Sequence, residues 1–162
     1  MSVSAYIRIP VGPVPLTMQT FAVLTAGYTL GAGCAAASVM LYIVVGLMGL
    51  PVFSTGGGPA YVLSPTFGYL IGFAFCAAVT GFLARFNRRE SVLVAYAVMI
   101  VGMTTLYLPG VAWLVVSLHW IADVPASVAS LMKIGLFVPF AGDAVTAVPA
   151  AILSVRLRKI LS

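Results

Sequence analysis

From Ser91 to Leu118 the chain carries no charged side chain, and a helix of about 20 apolar residues already crosses the hydrocarbon of a bilayer. A water-soluble fold could take up such a run only by exposing a large apolar patch or building a far larger core around it. The run is not isolated, because the chain is 62% hydrophobic, only 7% charged and has a mean hydropathy of +1.17. These residues specify an integral membrane protein, and its apolar runs read as helices, so the expected class is an all-α membrane bundle. At about 20 residues per span plus connections, the length accommodates five or six helices in a single membrane domain covering residues 1–162. No length remains for a soluble ATPase or catalytic module.

Breaks in the apolar pattern divide the chain. Pro10, Pro13 and Pro15 interrupt the start, predicting an irregular segment that leads into a helix from about Leu16 to Leu30. Gly31 to Gly33 reads as a turn, followed by a helix over about Cys34–Leu50 that ends at Pro51. Residues 51–60 hold two prolines and three consecutive glycines, the local signals of a flexible loop. A further helix ending near Phe86 carries Gly68 and Gly72 in GxxxG register, which lets helix backbones approach closely. Pro109-Gly110 is expected to bend or divide the run from Ser91 to Leu118. Pro139, Gly142 and Pro149 are expected to break the last one.

The net charge of +5 matters less than its placement. Arg85, Arg88 and Arg89 share one short link with Glu90, and Arg156, Arg158 and Lys159 share the C-terminus. Basic clusters mark the cytoplasmic side of a multi-pass plasma-membrane protein and suit anionic lipid, so no nucleic-acid partner is implied. Arg8 and Lys133 stand apart. Cys34 and Cys76 lie in apolar surroundings without metal-ligand spacing and read as small buried hydrophobes. Met1 to Ile9 lacks the pattern of a cleaved signal peptide.

Asp143 is the one carboxylate inside a long apolar stretch, in Phe137-Val-Pro-Phe-Ala-Gly-Asp-Ala-Val-Thr146. An ionised carboxylate at the centre of a bilayer helix costs on the order of 3 kcal/mol, so it persists where it faces a partner, a ligand or water. An irregular Pro139–Gly142 segment would form the wall of such a pocket, because irregular backbone at membrane depth needs protein or water beside it. The plainer reading is that Asp143 caps a helix beginning at the Phe-Ala-Gly turn.

With one histidine, His119, and with Glu90 and Asp123 in links on opposite sides, no nucleophile, base and orienting group can be assembled. The triple glycine is not followed by a P-loop lysine and hydroxyl. No enzyme, metal centre or cofactor is expected. What remains is capture of a small, partly apolar molecule in an outward-facing pocket, with the loops at residues 10–19 and 51–66 closing over it. Asp143 supplies the strong acceptor. Gln19, Tyr42, Thr66, Tyr69 and Thr146 are the polar side chains best placed to complete the site, and Gly68 joins them where the backbone comes close. Tyr42 and Tyr69 also suit plain packing, and Gln19 also suits a helix cap.

Four stretches resemble a known family. They are Ile7-Arg-Ile-Pro-Val-Gly-Pro-Val-Pro-Leu-Thr-Met-Gln-Thr20, Leu41-Tyr-Ile-Val-Val-Gly-Leu-Met-Gly-Leu-Pro-Val-Phe53, Gly56-Gly-Gly with Ser64-Pro-Thr-Phe-Gly-Tyr-Leu-Ile-Gly-Phe73, and Pro139-Phe-Ala-Gly-Asp143. In this order they resemble BioY, the biotin-binding S component of energy-coupling-factor transporters. The resemblance implies a compact six-helix membrane protein that captures biotin from outside. It further implies work with a transmembrane coupling protein and two cytoplasmic ATPases. Biotin's ureido N–H groups suit Asp143, and a charge-assisted bond of that kind is worth roughly 1.5–3 kcal/mol net.

Two departures from the family pattern stand out. The pattern resembles Gly-Asp-x-x-Lys, but here the last position is Thr146, which donates a hydrogen bond without bringing a positive charge. Lys133 or Arg8 is expected to serve the ligand carboxylate in its place. The segment Met1 to Ile9 is also too short for the family's full first helix, since about 9 residues of helix rise only about 14 Å. A longer start or an altered docking helix is expected. A different class remains open, in which Asp143 serves a small proton-coupled carrier or an accessory membrane subunit.

Overall fold

The computed structural model describes residues 1–9, 14–87, 91–122 and 127–161. Pro10, Pro13, Arg88, Arg89, Glu90, Asp123 and Pro125, on which several of the sequence readings rest, lie outside the described residues.

Seven α-helices and one short hairpin make up the described chain. A five-residue helix α1 (Ser2–Tyr6) leads into strand β1 (Arg8–Ile9), which pairs antiparallel with β2 (Leu16–Thr17) so that Arg8 faces Thr17 and Ile9 faces Leu16. Then come α2 (Gln19–Leu30), α3 (Ala32–Leu47), a 3₁₀ turn over Pro59–Leu63, α4 (Phe67–Ala84) and α5 (Val92–Val116). The chain finishes with α6 (Val128–Met132) and α7 (Val138–Leu161), joined through a wide π-helical turn over Lys133–Phe137. Among the described residues, three helical stretches are long and apolar enough to cross a membrane: Phe67–Ala84, Val92–His119 and Ala129–Ile160.

Two glycines explain why α4 lies at the centre. A Cβ on Gly72 would run into the backbone of Leu106 on α5, and one on Gly68 would strike Trp113 and the carbonyl of Pro109. The GxxxG register therefore sets α4 and α5 backbone to backbone, and they share the most extensive interface in the molecule. Helices α2 and α3 cover other faces of α4, and α7 packs against α2 and α5. Large apolar side chains such as Leu93, Leu108 and Val145 point outward, as they do where the surrounding solvent is hydrocarbon rather than water.

Arg85 and the basic C-terminus lie at one end of the bundle. On α7, Arg158 donates to the carbonyl of Ala84, at the end of α4, at 2.7 Å and lies over the ring of Tyr28 from α2. Beside them Asn87 Nδ2 donates to Tyr28 Oη at 2.6 Å and to the Ser91 carbonyl at 2.9 Å. Since α4 and α7 both finish here, Arg85 and the C-terminal cations share a face, as the charge pattern requires.

Several local expectations are corrected. Pro109-Gly110 does not divide its run, because α5 continues unbroken from Val92 to Val116; Gly110 instead provides a bare surface for the Tyr69 ring. Nor is there a break over Pro139–Gly142. Pro139 lies inside one continuous helical run from Val128 to Leu161, and the wide π-helical turn over Lys133–Phe137 just before it accommodates the missing N–H. Pro149 likewise sits inside α7 without ending it. Cys76 is buried as expected, but Cys34 is exposed, because it falls on the outer face of α3.

Candidate ligand-binding site

Asp143 lies five residues into α7, so it does not cap the helix. Its side chain turns into the bundle and is only 6% exposed. Thr20 from the first turn of α2 donates to Oδ2 at 2.8 Å, and Tyr107 from α5 donates to the same oxygen at 2.7 Å. Both donors crowd onto one oxygen. Among the described residues Oδ1 takes no hydrogen bond from the protein, and the carboxylate borders a hollow.

That hollow, of about 50 Å³, is bounded by the hairpin, α2, the loop after α3, α4, α5 and the start of α7. Its polar wall is Thr17, Gln19, Thr20, Ser54, Tyr61, Thr66, Tyr69, Tyr107 and Asp143; its apolar wall includes Leu16, Leu70, Phe73, Leu106 and Pro139. A strong acceptor at one side and hydrocarbon at the other suit a small molecule with polar donors on an apolar frame.

The segment between α3 and α4 forms the cover. Phe53 is fully buried, seated where a Cβ on Gly46 would otherwise be, with Tyr42 edge-on at 5.4 Å and Tyr61 at 4.4 Å between ring centres. Tyr42 donates to the Val52 carbonyl at 2.8 Å. Arg8 donates to the Ser54 carbonyl, and Tyr6 to that of Pro51. From the far side Trp113 Nε1 donates to the Ser64 carbonyl at 3.1 Å and Ser117 to that of Leu63 at 2.9 Å. The loop is thus fastened at both ends over the hollow.

The expected site residues divide into four groups. Asp143, Gln19, Thr66 and Tyr69 all line the hollow. Tyr69 also donates to the Gly135 carbonyl at 2.7 Å, and Thr66 shares hydroxyl contacts with Ser64 at 2.9 Å and Tyr61 at 3.1 Å. Tyr42 stands one step back: its hydroxyl accepts from Gln19 Nε2 at 2.9 Å, so it orients a wall residue rather than forming the wall. Gly68 lies at the α4–α5 seam and borders neither this hollow nor the second one beside it. Thr146 turns away from the first hollow and lines the second, its hydroxyl donating to the Asp143 backbone carbonyl at 2.9 Å. Lys133 is exposed and borders neither hollow, whereas Arg8 lines the second.

Tyr107, Thr20, Ser54 and Tyr61 belong to the site although sequence reasoning passes over them. Tyr107 had a signal: a tyrosine hydroxyl within an apolar span must find a partner when buried, and Asp143 is the acid inside such a stretch. Thr20 had a weaker one, as the neighbour of Gln19.

A helical membrane protein whose outer loops close over a small hollow holding one carboxylate belongs to the class of membrane substrate-capture proteins. Comparison with known proteins narrows this further. The chain matches the BioY family over residues 1–162, and it belongs to that family. It is 38% identical over 161 residues to the "Probable biotin transporter BioY" of Lysinibacillus sphaericus, covering 98% of this chain and 81% of that protein. To the "Biotin transporter BioY" of Thermotoga maritima it is 39% identical over 160 residues, covering 98% of this chain and 89% of the other. Its fold superimposes with a TM-score of 0.83 and 25% identity on a crystal structure of the S-component for biotin from an ECF-type ABC transporter, covering 98% of this chain and 84% of that one. The all-α bundle is therefore of the S-component type.

Proposed function

We propose that this protein captures biotin from the extracytoplasmic side as the membrane substrate-binding subunit of a vitamin uptake transporter, and makes no chemical change to its ligand. The observation that carries this reading is the buried Asp143 carboxylate at the wall of the hollow, fixed through Oδ2 by Thr20 and Tyr107, with no hydrogen bond to Oδ1 among the described residues. Biotin's ureido ring supplies N–H donors for that oxygen, and its thiophane suits the Phe73–Leu106 wall. The named relatives and the structural neighbour support the same ligand.

The chain functions as a single membrane domain in the plasma membrane, with its basic end inside. It works with a transmembrane coupling protein and two ATPase subunits that supply the energy it has no residues to harvest. No cofactor takes part.

Binding of labelled biotin to the purified chain in detergent, with no ion gradient, tests the reading. Tight retention by the wild type and a loss of about ten- to a hundredfold in Asp143→Asn is the expected result, from the weight of a charge-assisted bond. A proton-coupled carrier would give pH-driven flux without tight retention, and an accessory subunit would bind nothing. Either outcome displaces the proposal.

A further inference from the structure

A second hollow adjoins the one at Asp143. Leu16, Thr17 and Asp143 wall both, and the second, of about 230 Å³, is half open to the surroundings and lined besides by Arg8, Met18, Gly142 and Thr146 among others. The partition between the two is thin. A Cβ on Gly142 would lie 3.3 Å from Leu16 Cδ2, so one leucine side chain resting on bare backbone divides them. The inner hollow alone, about 50 Å³, falls far below the several hundred Å³ of ordinary ligand pockets, whereas the pair together approaches that size.

Asp143 stands where the two hollows meet, and the one cation of their walls lies only in the second. The inner hollow, with Asp143 and no cation, is a place for donors and repels an anion. Arg8 faces Thr17 across the hairpin and gives the outer end a cation. Among the described residues its guanidinium makes one hydrogen bond, to the Ser54 carbonyl, out of five available donors.

We infer that the second hollow is a tail subsite, in which the valerate of biotin passes the Leu16–Gly142 seam and its carboxylate is held by Arg8. The inference rests on the biotin reading above and adds a specificity rule to it: the ligand needs donors at one end and an anion at the other. Thr146 and Thr17 line the path of the tail, and Arg8 is a binding residue as well as a clamp on the loop.

The test compares biotin with biotinamide, whose tail ends in a neutral amide, on the purified wild type, Arg8→Ala and Arg8→Gln. Glutamine keeps an N–H donor for the Ser54 carbonyl, so it holds the loop where alanine releases it. The wild type is expected to bind biotin about tenfold more tightly than biotinamide, in line with an exposed charge-assisted contact. Arg8→Gln is expected to lose that preference by weakening biotin alone. If Arg8→Gln and Arg8→Ala weaken both ligands equally, Arg8 is only a clamp and the subsite is wrong. If neither variant changes either ligand, it is wrong too. A wild type that retains neither ligand overturns the biotin reading itself, and the subsite with it.

Discussion

Tyr107 and Asp143 meet across the α5–α7 interface, the phenol donating to Oδ2 at 2.7 Å, and the Thr20 hydroxyl reaches the same oxygen from α2 at 2.8 Å. Three helices are thereby tied at one atom. Removing either donor leaves a buried carboxylate with half of its partners and freer rotation, at a cost of about 1–3 kcal/mol. Tyr107→Phe is expected to weaken biotin binding about tenfold and to lower the unfolding temperature in detergent. Thr20→Val is expected to do the same more mildly. Because both act through one oxygen, the double variant should fall short of the sum of the two. Calorimetric titration of the four proteins checks this, and strictly additive losses would show that the two hydroxyls act independently.

How far this site is legible without coordinates depends on the cost of misplacing each residue. Asp143 stands out because an acid in an apolar run is expensive wherever it faces lipid. Gln19, Thr66 and Tyr69 follow as polar groups near the loops that close over it. Tyr107 hides, because a tyrosine in a span serves packing equally well and nothing local says which way it points. Tyr42 shows the converse: its hydroxyl is at the right depth but turns to Gln19 and Val52 rather than into the hollow. Prolines mislead for a different reason. Pro139 reads as a break only if the wide π-helical turn before it is unknown, because that turn lets the helix run on past a missing N–H. Cys34 fails because an apolar neighbourhood in a membrane protein describes the lipid face as well as the core.

The cover over the hollow depends on a ring and a missing side chain. Phe53 is fully buried against Gly46, and even a methyl group there would strike the ring. Gly46→Ala is expected to displace Phe53 and loosen residues 51–66 without disturbing the α4–α5 seam. Biotin affinity should fall tenfold or more while the helical circular dichroism is unchanged, and proteolysis within the loop should accelerate. Unaltered affinity would mean that the loop does not close over the ligand.

At the opposite end Arg158, Tyr28 and Asn87 join α7, α2 and the end of α4 far from Asp143. Arg158→Met retains the stem of the side chain while removing the donor to Ala84 and the cation over Tyr28. The contact is partly exposed, so a loss of about 1 kcal/mol is expected. Thermal unfolding in detergent should show that loss while the biotin dissociation constant stays within about twofold. A larger change in binding would reveal that the basic end and the site are coupled through α2 and α7, which carry residues of both.

Gly72 offers the sharpest separation between a glycine that packs and one that merely occurs. Its missing Cβ would collide with the Leu106 backbone, which no rotamer change can relieve, and Leu106 is the neighbour of Tyr107. Gly72→Ala is therefore expected to force α4 and α5 apart, costing about 1–3 kcal/mol as overpacked cores do, and to draw the Tyr107 hydroxyl away from Asp143. Gly33 is the control: it lies within α3 with nothing inside 4 Å of a Cβ, so alanine there should be neutral or stabilise by roughly 0.5–1 kcal/mol through helix propensity. Thermal unfolding and biotin titration of both variants decide the matter. If Gly72→Ala unfolds at the wild-type temperature and binds biotin normally, the α4–α5 seam does not set the position of Tyr107, and the carboxylate is held by α2 and α7 alone.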